Sequence, residues 1–212
     1  MKPDTEICYI GGAVGRIETF VENPGEPGGI ALVCHPHPLF GGENTNKVTQ
    51  TLARVFAQMG YVTFRPNFRG AGKSEGAHDN GIGETSDMLM LIAEARRQYG
   101  ELPVALAGYS FGAYVQTRVA RALSEAGTPA QGMVLVGTAA GYVEGLRQYA
   151  VEAVEKDTLV IHGARDETVP LANVLAWAEP LDLPVVILPG ADHFFHRHLH
   201  LIRDIVLRAW PH

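Results

Sequence analysis

Apolar residues along this 212-residue chain fall into two alternating rhythms. Short continuous apolar runs recur at Ile30-Ala31-Leu32-Val33-Cys34, Tyr61-Val62-Thr63-Phe64, Val104-Ala105-Leu106-Ala107, Gly132-Met133-Val134-Leu135-Val136, Thr158-Leu159-Val160-Ile161 and Pro184-Val185-Val186-Ile187-Leu188. Runs of this length, bounded by glycine, proline and polar turns, predict strands covered on both faces. Between them the spacing becomes helical. Helices are expected from about Lys47 to Met59, from Ile82 or Glu84 to Tyr99, from Phe111 to Ser124, from Leu171 to Ala178 and from Leu199 to Trp210. In the second of these, Met88, Leu91, Ile92 and Ala95 share one face. The chain opens differently, with Ile7-Cys8-Tyr9-Ile10, then Gly11-Gly12, then an alternating stretch from Ala13 to Val21, which predicts an antiparallel hairpin at a sheet edge. The stretch from Thr138 to Asp157 leaves room for one helix and no cap domain. Strands and helices in this order predict an α/β fold: a mostly parallel twisted sheet, right-handed crossovers, helices on both faces and an N-terminal antiparallel hairpin. The length fits one domain, residues 1–212.

Composition narrows the partners. The chain is 46% hydrophobic and 19% charged, with a formal net charge of −6. No basic surplus is present to hold a nucleic acid backbone or an anionic membrane, so neither is expected as a partner. No run approaches the roughly 20 apolar residues of a membrane span, and the N-terminal residues contain no apolar signal segment, so a cytoplasmic location is the default expectation. The two cysteines, Cys8 and Cys34, sit in apolar strand-like surroundings and read as small buried hydrophobes rather than a disulfide.

Chemistry enters at Gly108-Tyr109-Ser110-Phe111-Gly112, where an apolar strand runs straight into a helix. A turn this sharp strains the serine backbone and crowds the flanking positions, which is why glycine is required on both sides. It also lifts the Ser110 hydroxyl clear of the sheet, beside the positive end of the helix dipole. A serine hydroxyl is a weak nucleophile at neutral pH and needs a base, and the base needs a partner that fixes its tautomer. In an open α/β sheet such partners lie at the carboxyl ends of strands. The strand ending at Gly163 leads to Asp166, and the last strand leads to His193, giving the order Ser110, Asp166, His193 expected of an elbow nucleophile. Oxyanion donors are expected from the Phe111 N–H and from the loop after Cys34. Prolines 36 and 38 lack an N–H, so His37 or Leu39 must supply the second, with His37 preferred. The side chains of His35 and His37 are expected to pack the loop, and His162 its strand, while His78 and His212 are expected at the surface. His193, His196, His198 and His200 raise the question of a metal, but no nearby cysteine or glutamate completes a familiar ligand spacing, and no metal or cofactor is expected.

The set His35-Pro36-His37-Pro38, Asn67-Phe68-Arg69-Gly70-Ala71-Gly72-Lys73-Ser74, Gly108-Tyr109-Ser110-Phe111-Gly112, Asp166 and His193 resembles the small lidless members of the α/β-hydrolase superfamily. These are bacterial serine hydrolases related to dienelactone hydrolases and lysophospholipase-like esterases. The likeness runs from about Ile30 to Trp210. It departs from the dienelactone hydrolases in carrying Ser110 where they use cysteine, which points to ester chemistry, and from many relatives in having His35-Pro36 where they have His-Gly. The resemblance implies a structural role for the Asn67 to Ser74 loop, with Arg69 in an ion pair that holds it.

The combined expectation is a cofactor-free serine hydrolase, a carboxylesterase acting on small or short-chain acyl esters as a monomer or homodimer. Its open site would be rimmed by Phe40, Tyr109, Tyr142 and Phe194. A thioesterase, peptidase or acyltransferase on the same fold, a non-catalytic binding protein that keeps the fold, and a metal-dependent hydrolase built on the C-terminal histidines are the competing readings.

Overall fold

Residues 5–143, 145 and 147–210 are described by a computed structural model of the chain. Ten strands and five helices follow in the order β1 (Thr5–Gly11), β2 (Arg16–Glu22), β3 (Gly29–Cys34), α1 (Lys47–Gln58), β4 (Tyr61–Pro66), α2 (Ile82–Tyr99), β5 (Val104–Tyr109), α3 (Phe111–Glu125), β6 (Gly132–Val136), β7 (Gly141–Val143), β8 (Arg147–Tyr149), β9 (Leu159–Gly163), α4 (Leu171–Ala178), β10 (Val185–Leu188) and α5 (Leu199–Ala209). Eight strands form one sheet in the order β1-β2-β4-β3-β5-β6-β9-β10. From β4 to β10 the pairing is parallel, and the β1–β2 hairpin adds antiparallel to its β4 edge.

The continuous apolar runs are central strands because both of their faces are covered. Along β3, Ile30, Leu32 and Cys34 pack with Met88, Leu91 and Ile92 of α2 and Val115 and Val119 of α3. The alternate residues Ala31 and Val33 pack with Leu52 and Phe56 of α1 and Ile202 and Val206 of α5. This period-2 sorting splits the core into two layers and is what a two-sided strand requires. Each fully buried Leu, Ile or Phe contributes about 2 kcal/mol of transfer free energy, so the paired layers fix the strand order. The helices start where side chains satisfy their first N–H groups: Asn46 accepts from Val48 and Thr49 at the head of α1, and Glu84 accepts from the Gly81 N–H at the head of α2.

The chain places the site through its connections. From β3 it crosses by α1 to β4 on one side, then returns by α2 to β5 on the other side of β3. The direction of winding therefore reverses between β3 and β5, and loops leaving those two carboxyl ends diverge around a crevice.

One predicted element differs. The stretch from Thr138 to Asp157 holds no helix among its described residues; it holds the two short strands β7 and β8, paired antiparallel with Tyr142 opposite Gln148. Gly141 and Gly145 take positive φ values of 63° and 94°, which end helical propagation and turn the chain back. Nothing larger than this hairpin connects β6 to β9.

Candidate active site

Ser110 sits between β5 and α3 with φ 56° and ψ −117°, a backbone conformation that costs a non-glycine residue on the order of 1–3 kcal/mol. The strain is held in place from several directions. The Ser110 N–H donates to the Val136 carbonyl at 2.9 Å, and the Ser110 carbonyl accepts from Tyr114 and Ala139, both at 3.2 Å. A Cβ on Gly108 would stand 2.5 Å from the Gly112 carbonyl oxygen, and one on Gly112 would stand 2.5 Å from the carbonyl oxygens of Cys34 and His35. Both glycines are thus required by backbone contact, and Gly112 by contact with β3's end.

Three of the residues anticipated from strand ends meet here. His193 Nε2 lies 3.0 Å from Ser110 Oγ, and His193 Nδ1 lies 2.7 Å from Asp166 Oδ2. The other Asp166 oxygen accepts the N–H groups of Thr168 at 3.0 Å and Val169 at 2.7 Å, so the carboxylate is anchored by the backbone that follows it. Asp166 faces the imidazole rather than capping α4: the residue preceding that helix is Pro170, which makes no side-chain cap bond. Two further groups hold this chain of contacts, and neither was anticipated in that role. The Tyr109 hydroxyl donates to the His193 carbonyl at 2.8 Å, with its ring packed against the imidazole at 5.2 Å between centroids. His162 lies under Asp166, its Nε2 donating to the Val169 carbonyl at 3.0 Å and standing 3.4 Å from Asp166 Oδ2. Burial pushes His162 below the ordinary histidine range and lifts the Tyr109 phenol, so both act as neutral hydrogen-bonding groups.

The loop after β3 is fixed by its own carbonyls. The His37 carbonyl accepts from Phe40 at 3.1 Å and from Gly42 at 3.0 Å, closing a 3-10 turn over Pro38–Phe40. His37 Nδ1 accepts the Leu39 N–H at 3.2 Å, which removes Leu39 from the pool of free donors. Phe111 opens α3, where the N–H has no intrahelical acceptor. The His37 ring packs on Phe111 at 4.7 Å and on His78 at 4.5 Å, and His78 Nδ1 lies 2.8 Å from Glu84 Oε1. His78 is accordingly a packed side chain and not the solvated one expected, because the buried Glu84 carboxylate draws it in. Burial, together with the nearby Arg147 charge, pushes His37 down to about 3. His35 is fully buried and falls to about 4; its Nδ1 faces the Pro36 carbonyl at 2.6 Å, while Nε2 accepts the Phe68 N–H at 2.8 Å. Arg69 makes the expected ion pair, 2.7 Å from Asp87, and Ser74 bridges the Glu18 N–H and the Asn67 carbonyl, so the Asn67 to Ser74 loop is tied down at both ends.

Above Ser110 lies a cavity of about 700 Å³. Phe40 and Phe194 line it as expected and are 67% and 59% exposed, forming the rim. Tyr109 borders it from below, 1% exposed, because residue parity along β5 turns its ring toward the α1 and α5 layer. Tyr142 does not line it. On the β7–β8 hairpin it pairs with Gln148 on the outward face, while Val143, Arg147 and Tyr149 border the cavity. Glu167 and Arg147 are the charged lining residues among those described, and neither was anticipated. The paired glycines at 141 and 145 are the sequence signal that could have found the hairpin.

Among the described residues no group of three or more histidine, cysteine, aspartate or glutamate side chains is placed to hold a metal ion. His196 turns to Asp192 at 2.6 Å and His198 to the His196 carbonyl at 2.6 Å, so the C-terminal histidines diverge. His212 lies outside the described residues. Cys8 and Cys34 are free thiols, the first half-buried and the second buried. No helix among the described residues is long and apolar enough to cross a membrane.

Known proteins share this chain's sequence family and fold. Residues 26–156 match the family described as serine aminopeptidase, S33. An α/β serine hydrolase homologue from Coxiella burnetii is similar over 97% of both chains, with 35% identity and a TM-score of 0.83. XC6422 from Xanthomonas campestris, a serine hydrolase described as without a lid, is 32% identical over 97% of this chain and 93% of its own, with a TM-score of 0.85. Of the curated relatives, the Rickettsia prowazekii protein RP471 is 39% identical over 111 residues. The lysophosphatidylserine lipase ABHD12 of Danio rerio is 34% identical over 84 residues, 40% of this chain. The matched segments span 46% and 22% of those two relatives' lengths, so the chain corresponds to less than half of either.

Proposed function

Because the chain belongs to the serine aminopeptidase S33 family and has the α/β-hydrolase fold of lidless serine hydrolases, we propose that it is a carboxylesterase working through an acyl-enzyme on Ser110. One observation carries the reading: the unbroken contact chain Ser110 Oγ, His193, Asp166 on a strained elbow. His193 takes the hydroxyl proton at Nε2 as Ser110 Oγ attacks the acyl carbon, while Asp166 fixes the Nδ1–H tautomer and stabilises the imidazolium that forms. The N–H groups of Phe111 and His37 receive the oxyanion, Leu39 being engaged by the His37 ring. The protonated His193 then hands its proton to the departing alcohol. Water, deprotonated by the same imidazole, attacks the acyl carbon, and the imidazolium returns that proton to Ser110 Oγ as the acid leaves.

The cavity's apolar wall of Phe40, Phe111, Val143 and Tyr149 favours a small or short-chain acyl group, and the rim aromatics leave it open to solvent. The name of the zebrafish relative also states an ester hydrolysis. The test is turnover of short 4-nitrophenyl esters together with fluorophosphonate labelling. Ser110→Ala is expected to lower kcat by on the order of 10⁴-fold or more and to abolish labelling. Turnover that survives the substitution would remove Ser110 from the mechanism.

A peptidase reading has one observation in its favour, since Glu167 borders the cavity and a carboxylate is what holds a substrate's free α-ammonium group. Amino acid 4-nitroanilides cleaved as fast as the esters would move the assignment there.

A further inference from the structure

We infer that Arg147 forms an anion subsite in the wall of the Ser110 cavity, so that the substrates handled best are esters carrying a carboxylate or phosphate group. The inference rests on the esterase reading and narrows it. Arg147 begins β8 and borders the same cavity as Ser110, His37 and Phe40. Its guanidinium carbon lies 4.0 Å from the centroid of the Phe40 ring. A guanidinium seated over an aromatic ring keeps its in-plane N–H groups for other acceptors; one side of Arg147 meets the neutral Tyr149 phenol, and the remaining donors suit a planar carboxylate or a phosphate edge.

Among the described residues no carboxylate takes that fork. Arg16, Arg65, Arg69, Arg97 and Arg121 each pair with an acidic side chain, whereas Arg147 has no carboxylate partner among the described residues. The groups that feel its charge are the His37 ring, which burial keeps neutral, and the Tyr149 phenol, which burial keeps protonated. Glu167 is the other charged residue bordering the cavity among those described; it is exposed to solvent and follows Asp166 on the β9 side. A cation held by an aromatic ring, with no carboxylate partner among the described residues, in a chain of net charge −6, marks a place for a negative group of the substrate.

The charge could lie on the acyl or on the alcohol portion, so the test has two arms. The first compares the mono-4-nitrophenyl ester of adipic acid with 4-nitrophenyl heptanoate. The second compares 4-(hexanoyloxy)benzoate with 4-(hexanoyloxy)benzamide. In the wild-type protein the anionic ester is expected to have the higher kcat/KM in at least one arm, and Arg147→Gln is expected to lower the anionic-to-neutral ratio in that arm by about tenfold. Arg147→Lys should retain part of the preference, and raising salt toward 1 M should shrink the wild-type ratio. The ratio is internal to each protein, so a variant with a disturbed hairpin still reports. Preference for the neutral ester in both arms, or a ratio that neither the glutamine substitution nor salt changes, overturns the subsite. If no ester of either kind is cleaved and the fluorophosphonate leaves Ser110 unlabelled, the esterase reading itself has failed, and the two failures are told apart by the labelling.

Discussion

His35→Gln tests whether the loop that carries the His37 N–H depends on a histidine kept neutral by burial. In the folded chain His35 Nε2 accepts the Phe68 N–H at 2.8 Å and Nδ1 faces the Pro36 carbonyl at 2.6 Å, so the network assigns the neutral Nδ1–H tautomer. Protonation would set two donors against each other at Nε2 inside a fully buried site, and the group is accordingly pushed from 6.5 down to about 4. A folded value below the unfolded one means that the unfolded chain binds the extra proton first, so stability is whole above pH 6.5 and drains as pH falls toward the folded value. With those two values, acidification from about pH 7.5 to about pH 5 removes about 2 kcal/mol through this one residue. Glutamine can still offer an oxygen to the Phe68 N–H but does not titrate. Urea unfolding at the two pH values should therefore show the wild type losing about 2 kcal/mol more than the variant, whatever the variant's stability at neutral pH. Equal losses in the two proteins, to within about 0.5 kcal/mol, would refute the argument.

Two other substitutions probe the turn and its support. Gly112→Ala puts a Cβ against the Cys34 and His35 carbonyls, and the rigid sheet edge cannot yield, so thermal unfolding is expected several degrees lower and kcat/KM about 100-fold lower through misplacement of Ser110. Unchanged activity in a folded Gly112→Ala protein would show that the contact is relieved at no cost. Tyr109→Phe removes the hydroxyl that donates to the His193 carbonyl and should cost about 1–3 kcal/mol in denaturant unfolding. In ester kinetics it should lower kcat while leaving KM near its wild-type value; a rise in KM alone would place Tyr109 in substrate binding instead.

What the sequence made legible follows from where its signals are strong. β3, β5 and β6 announce themselves because burial on both faces forces unbroken apolar runs. Ser110, Asp166 and His193 are legible in the sequence because each follows the carboxyl end of a strand, and parallel strands bring those ends to one edge. Three-residue strands such as β7 and β8 carry no periodicity, so a segment of matching length reads as readily as a helix. Tyr142 lies outside the cavity it is expected to rim for the same reason: which side of a hairpin a residue faces depends on register, and register here comes from glycine turns. His78 looks like a surface residue until the fold supplies Glu84, buried at the head of α2, as its neighbour. Arg147 has no local pattern at all; its place over Phe40 is a meeting of strand β8 with the 3-10 turn after β3 that only tertiary structure creates.

The β7–β8 hairpin is anchored to the core by Val143 and Tyr149 and to α4 by Asn173, yet what it builds is a wall and not the reaction centre. It lies between β6 and β9 in the chain without contributing a strand to the main sheet, and it carries neither the serine, the imidazole nor the aspartate. Lengthening a surface connection costs little, about 0.6 kcal/mol for each doubling of a flexible loop. A different hairpin, or a larger insertion at the same two junctions, could therefore exchange one substrate wall for another while the reaction centre stays as built. Selection acting on the cavity-facing positions of this segment, with the Val143 and Tyr149 anchors kept, can retarget the molecule without renegotiating its fold.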